Sequence, residues 1–122
     1  MKTFRLAAVS LDCSNPAALA EFWAALLEAD IAFSSDEFVA IKLEGLWVTA
    51  VRVESYRPPT WPDESTPKQI HFEVAVRDLD SASASATTLG ATQCEHQPAP
   101  DRYRVFLDPA GHPFCLTTQI PE

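Results

Sequence analysis

Basic residues and glycine are both scarce in this chain of 122 residues, and each scarcity excludes a class of function. Nine lysine and arginine residues stand against 17 aspartate and glutamate residues, which gives a net charge of −8 at pH 7. Nucleic acids and anionic membranes attract clustered positive charge, so this balance argues against both as partners. The three glycines form neither a glycine-rich phosphate loop nor a nucleophile-elbow motif.

Cysteine and long hydrophobic runs are scarce as well. Cys13, Cys94 and Cys115 are odd in number and widely spaced, so they indicate neither a disulfide framework nor a zinc motif, and we expect three reduced thiols. No apolar stretch approaches the roughly 20 residues of a membrane span. The charged start of the chain also differs from the apolar run of a signal peptide. These features predict a soluble cytoplasmic protein.

What the chain does contain is enough apolar sequence for one globular domain. Its composition is 47% hydrophobic and 21% charged, which is typical of a folded chain of this length. Alternating residues predict a strand over Thr3–Cys13, and Asn15 followed by Pro16 marks a helix start. A short strand over Ile31–Phe33 and a hairpin that turns at Glu44-Gly45 complete the first half.

The same order of elements returns in the second half. Ile70–Val76 is predicted to be a strand, and Asp78 or Asp80 caps a helix that ends at Gly90. Three further strands follow the helix, as in the first half. The repeat predicts an α+β fold of two tandem βαβββ modules.

A proline-rich segment, 56–67, separates the modules, which cover Met1–Ser55 and Lys68–Thr118. Its proline density excludes a helix or a central strand. The Trp61 side chain either packs this linker onto the protein or lines a cavity.

The stretch KQIHFEVAVRDL, Lys68–Leu79, carries the clearest chemical signal. His71 and Glu73 fall on one face of the predicted strand because side chains alternate along a strand. A carboxylate beside an imidazole can orient it or raise its pKa. The pair is suited either to moving a proton next to a carbonyl or to hydrogen-bonding a ligand.

Three segments resemble the glyoxalase-like branch of the vicinal oxygen chelate superfamily, which also holds the bleomycin-resistance proteins. They are LDCSNPAALAEFWAALL, YRPPTWPDESTPKQIHFEVAVRDLDSA and DRYRVFLDPAGHPFCL. The resemblance covers nearly the whole chain, and it implies a single domain over residues 1–122 with the glyoxalase/bleomycin resistance/dioxygenase fold. It further implies that the modules form a cup-shaped cleft, commonly in a homodimer.

Members of this superfamily that are enzymes hold a divalent metal with four side chains, usually His, Gln or Glu. By the resemblance these places fall at Ala8, Val51, His71 and Cys115. Ala8 and Val51 have no donor atom, and Cys115 stands where a carboxylate is expected. We therefore expect no metal cofactor, and glyoxalase chemistry does not carry over. The alternative is a zinc-like ion held by His71, Cys115 and Glu73.

The predicted function is the binding of a small, partly hydrophobic or aromatic organic compound in the cleft. The residues expected to contact it are Ser10, Trp47, Thr49, Val51 and Cys115. The alternative is a lyase, isomerase or cyclase that uses His71 and Glu73 as acid and base, with or without a divalent metal. Cys115 is a candidate nucleophile if His71 lowers the pKa of its thiol.

Overall fold

The computed structural model describes residues 3–121, which form eight strands and two helices. The chain divides into two compact units, Met1–Arg57 and Pro58–Glu122. Each unit contains one four-stranded sheet and one helix, so the predicted α+β fold of two βαβββ modules is confirmed. Most of the proline-rich segment belongs to the second unit. Among the described residues, neither helix has the length and apolar character needed to cross a membrane.

The first module joins its first strand to its last. Its elements are β1 (Ala8–Cys13), α1 (Pro16–Leu26), β2 (Asp30–Ser34), β3 (Phe38–Leu43) and β4 (Leu46–Arg52). The strand order is β1-β4-β3-β2, with β1 parallel to β4 and the other pairs antiparallel. β1 begins at Ala8 rather than at Thr3. Ala8 pairs with Trp47, and β4 begins only one residue before Trp47, so it is too short to pair with the residues near Thr3.

The second module repeats this arrangement. Its elements are β5 (Phe72–Ala75), α2 (Leu79–Leu89), β6 (Thr92–Gln93), β7 (Tyr103–Leu107) and β8 (Pro113–Thr117). The strand order is β5-β8-β7-β6, with β5 parallel to β8. β5 is shorter than predicted, since Phe72 pairs with Phe114 and β8 begins one residue earlier at Pro113, which has no N–H to extend the ladder.

Both helices begin where the sequence predicts, and the second also ends as predicted. The Asn15 side chain accepts a hydrogen bond from the Ala18 N–H at 3.2 Å, and Pro16 occupies the first helical position. Asp78, rather than Asp80, caps α2, and its carboxylate accepts a hydrogen bond from the Ser81 N–H at 2.9 Å. Gly90 ends α2 with a φ of 120°, a conformation that favours glycine.

Each sheet has one face packed on its helix, and the main core of each module lies in that layer. In the first module, Phe22 and Trp23 of α1 are buried and pack edge to face at 5.2 Å between ring centroids. In the second, Phe106 and Phe114 are buried from neighbouring strands with centroids 5.9 Å apart. The opposite faces carry both polar and apolar side chains.

Candidate functional site

The candidate site lies on the face of the second sheet that points away from α2. Glu73 is opposite Cys115 on the neighbouring strand β8. Cys115 is in turn opposite Val105 on β7, so the three side chains form a row across the sheet. His71 directly precedes β5, two residues before Glu73, and strand alternation directs both to this face.

An open cavity of about 550 Å³ lies over this row of side chains. The structure brings the predicted residues His71, Glu73 and Cys115 together in its wall. Among residues 3–121, those that line it all come from the second unit: Trp61, Lys68, His71, Glu73, Arg102, Tyr103, Val105, Pro113, Phe114, Cys115, Thr117, Gln119 and Ile120.

His71 and Glu73 are close to each other but not hydrogen-bonded. The distance from His71 Nε2 to Glu73 Oε2 is 4.0 Å, and 34% and 48% of the two side chains are exposed. That separation exceeds hydrogen-bond length, so each side chain has polar atoms available to a molecule in the cavity.

The surroundings of Cys115 disfavour the ionised form of its thiol. Burial raises the pKa of its thiol and the negative charge of Glu73 raises it further, while the positive charge of Lys68 acts in the opposite direction. The thiol is therefore protonated at neutral pH, whereas the thiolate is the nucleophilic form. This environment does not favour an activated Cys115, whose role in the site stays a prediction.

The same three side chains are the cluster that could hold a metal ion. One ligand atom each from His71, Glu73 and Cys115 lie within 4.8 Å of one another. A nitrogen, a carboxylate oxygen and a sulfur suit zinc, which accepts three protein ligands in an open site. Hard ions such as Mn²⁺ and Mg²⁺ prefer oxygen donors, so the thiol disfavours them.

The remaining predicted site residues form a separate group on the first sheet. Ser10, Trp47, Thr49 and Val51 lie on β1 and β4. The hydroxyl oxygens of Ser10 and Thr49 are hydrogen-bonded at 2.7 Å. The Trp47 ring has the Lys42 ammonium 5.8 Å from its centroid. Their predicted role in ligand binding stays a prediction.

The strand registers show which positions of the two modules correspond. For β4 and β8 the result differs from the one obtained by counting residues along the chain. Ser10 is opposite Thr49 in the first module, as Glu73 is opposite Cys115 in the second. Ser10 lies five residues before its helix cap, and so does Glu73. Thr49 is therefore the counterpart of Cys115.

Val51 occupies a different place from the one that counting gives it. It is opposite Asp12, as Thr117 is opposite Ala75, so Val51 corresponds to Thr117. Counting along the chain assumes equal connections between elements, but the β6–β7 and β7–β8 connections are longer than the β2–β3 and β3–β4 connections. The first-module position that matches Cys115 therefore carries a hydroxyl rather than a hydrocarbon side chain.

The cavity also contains residues other than those predicted to carry its chemistry. Trp61 does both of the things considered for it, because it lines the cavity and contacts the His96 ring with centroids 5.3 Å apart. Tyr103 follows from the alternation of β7, which puts it on the same face as Val105. Lys68 and Arg102 lie outside the strands, in segments where no periodicity marks them.

A family model described as a glyoxalase-like domain matches residues 8–117. This protein belongs to the glyoxalase-like domain family. The match spans both modules, and it confirms the resemblance to the vicinal oxygen chelate superfamily that the sequence motifs carry. No curated protein matches this glyoxalase-like chain significantly.

Solved structures share the fold of this glyoxalase-like protein at low sequence identity. A fosfomycin resistance protein, FosX, from Mesorhizobium loti is 17% identical with a TM-score of 0.71, covering 98% of this chain and 94% of that one. A glyoxalase-related enzyme from Fulvimarina pelagi is 15% identical with a TM-score of 0.69, covering 93% and 86%.

A second FosX, from Listeria monocytogenes, was solved as a mutant with Mn(II) and 1S,2S-dihydroxypropylphosphonic acid. It is 18% identical with a TM-score of 0.71, covering 98% of this chain and 93% of that one. At this level of identity these likenesses show the fold alone.

Proposed function

We propose that this protein binds a small organic compound with an apolar or aromatic body in the cavity of its second module, and that it does so without a metal. The observation that carries the proposal is the composition of the cavity wall. Trp61 and Tyr103 supply aromatic surface, and His71 and Glu73 supply polar atoms without bonding each other. An apolar pocket with a few convergent polar groups is the usual form of a small-molecule site.

The size of the cavity supports a ligand larger than a metal-bound water or a simple ion. Small-molecule sites commonly have volumes of about 300–1,000 Å³, and this cavity has about 550 Å³. A two-ring aromatic compound fits such a volume, with Tyr103 and Trp61 available for stacking.

A blocked cavity tests the proposal. The probes are 2-naphthoate and 2-naphthamide, titrated calorimetrically against the wild-type protein and Val105→Trp. Val105 is 4% exposed and lines the cavity, so the indole is expected to occupy the ligand space. The matched control is Leu89→Trp, at the exposed end of α2. We expect the probes to bind to the wild type and to the control but not to Val105→Trp. Equal binding to all three proteins would reject the cavity as the site.

A second candidate function is an acid–base enzyme, and the approach of His71 to Glu73 in one cavity favours it. One group would accept a proton beside a carbonyl and the other would return it. Conversion of a bound compound by the wild type but not by His71→Gln, with unchanged binding, would establish this function. Recovery of the compound unchanged from the wild type supports simple binding.

The donor cluster makes zinc the metal to test. If zinc binds, His71, Glu73 and Cys115 would hold it, and it would supply a Lewis acid. Metal analysis of protein purified without chelators, followed by titration with Co²⁺, separates the alternatives. We expect less than stoichiometric metal and no cobalt–thiolate absorption. One equivalent of metal that disappears in Cys115→Ser would overturn the metal-free proposal.

The family resemblance also supports a proposal that the protein is a homodimer. The Phe33 and Phe38 rings of the first module stack at 4.9 Å and remain 50% and 39% exposed, which leaves apolar surface for a second copy to cover. Sedimentation equilibrium should give twice the chain mass. A monomer at all concentrations would reject the dimer.

A further inference from the structure

We infer that the compound bound in this cavity carries one negative charge, as in an aromatic carboxylate, and that Lys68 and Arg102 recognise it. This inference rests on the proposed function and specifies the chemical class of its ligand. It begins with an imbalance of charge: the whole chain has a net charge of −8, with only nine basic residues. Two of those nine line this one cavity.

Among the residues that the structure describes, Lys68 and Arg102 are two basic residues without a carboxylate partner. Within residues 3–121, no acidic oxygen lies within 4.0 Å of either head group. Arg104, by contrast, lies 2.9 Å from Asp80, and Arg52 lies 3.7 Å from Glu37. Positive charges without a partner beside a cavity are available to an anionic ligand.

The charged side chains that line the cavity have a net charge of one, which a ligand with one negative charge would balance. Lys68 and Arg102 contribute two positive charges, and Glu73 is the acidic residue among the lining residues that the structure describes. These three side chains together carry one positive charge. A carboxylate balances that sum, whereas a doubly charged phosphate ester would leave the cavity negative.

Lys68 is placed where its charge acts inside the cavity. Its ammonium nitrogen lies 5.7 Å from the centroid of the Trp61 ring, which is within cation–π range. The same charge lowers the pKa of the Cys115 thiol at the cavity floor, against the effects of burial and Glu73. An anion bound near Lys68 would therefore have Trp61 beside its aromatic body.

The experiment compares two ligands of one shape and different charge. The probes are 2-naphthoate and the neutral 2-naphthamide, measured calorimetrically with the wild type, Lys68→Gln and Arg102→Gln. Arg77→Gln is the matched control, because it removes the same charge from an exposed position outside the cavity lining.

The wild type should bind naphthoate about tenfold more tightly than naphthamide, since charge-assisted hydrogen bonds are stronger than neutral ones. Lys68→Gln and Arg102→Gln should each remove about half or more of the preference for naphthoate, because each variant removes one charge-assisted contact. Both variants should leave naphthamide binding unchanged. Added salt should weaken only the naphthoate complex.

The failures of the two proposals are distinguishable. Equal affinity for both probes, unaltered by either variant, overturns the anionic ligand and leaves the binding function standing. A loss in Arg77→Gln as large as in Lys68→Gln also overturns it, because the effect would then come from net charge. Absence of binding by both probes overturns the inference and the proposed function together.

Discussion

Glu73 and Cys115 lie directly opposite each other on the parallel strands β5 and β8. The carboxylate adds to burial in raising the pKa of the thiol, so Glu73 protects Cys115 from ionising. A thiol with a raised pKa is less often ionised, so we expect Cys115 to be less reactive than an exposed cysteine.

The first prediction is that Glu73→Gln makes Cys115 more reactive. Removing the negative charge lowers the pKa of the thiol, which raises the thiolate fraction at neutral pH, so iodoacetamide should alkylate Cys115 faster. Peptide mass spectrometry measures the rate for each cysteine in chelator-treated protein. Cys94 is the internal control, because burial alone raises the pKa of its thiol. An unchanged or slower rate at Cys115 contradicts the electrostatic account.

The second prediction concerns the cap of α1. Asn15→Ala removes the acceptor for the Ala18 N–H and should lower the free energy of unfolding by about 1 kcal/mol. Asn15→Asp, which restores a capping oxygen, should retain the stability of the wild type. Urea denaturation measures all three proteins, and equal loss in both variants would show that the cap contributes nothing.

The third prediction is a pH dependence of stability that arises at Asp78. Hydrogen bonds from the Ser81 side chain and backbone N–H hold the pKa of Asp78 below its ordinary value of 3.8. The stabilisation is therefore complete above that value and is lost as the pH falls through the lower pKa of the folded state.

Asp78→Asn isolates this contribution, since asparagine caps a helix but does not titrate. The difference in unfolding free energy between wild type and variant should shrink as the pH falls from about 5 to about 2. Urea denaturation across this range measures it. A difference that stays constant, or grows, would show that Asp78 does not carry the dependence.

The fourth prediction compares two phenylalanines at opposite extremes of burial. Phe106 is fully buried, at 0% exposure, and Phe106→Ala should lower the unfolding free energy by about 3–5 kcal/mol. Phe4 is 88% exposed, and Phe4→Ala should change it by less than about 0.5 kcal/mol. Comparable losses from the two variants would mean that Phe4 packs on something in solution.

The sequence predicted those parts of the fold that local chemistry determines. Asn15 and Asp78 cap their helices, Gly90 ends α2, and β3 and β4 meet at a turn containing Gly45. These features depend on hydrogen bonds and backbone freedom within a few residues, so a local pattern suffices to identify them.

Features that depend on partners distant in the chain were less predictable. The end of strand pairing at Ala8 depends on where β4 begins, and the match of Thr49 to Cys115 depends on register between strands some 40 residues apart. Lys68 and Arg102 reach the cavity from segments without periodicity. The spacing of residues along the chain does not show which distant residues become neighbours, because the tertiary fold determines this.

The parallel pairing of β1 with β4 has a consequence for synthesis of the protein. Residues 8–13 cannot complete their hydrogen-bond ladder until residues 47–52 have left the ribosome. The first module can then close before most of the second has been made. β5 likewise cannot pair until β8 has been made. Each module therefore has a folding step that requires its own final strand.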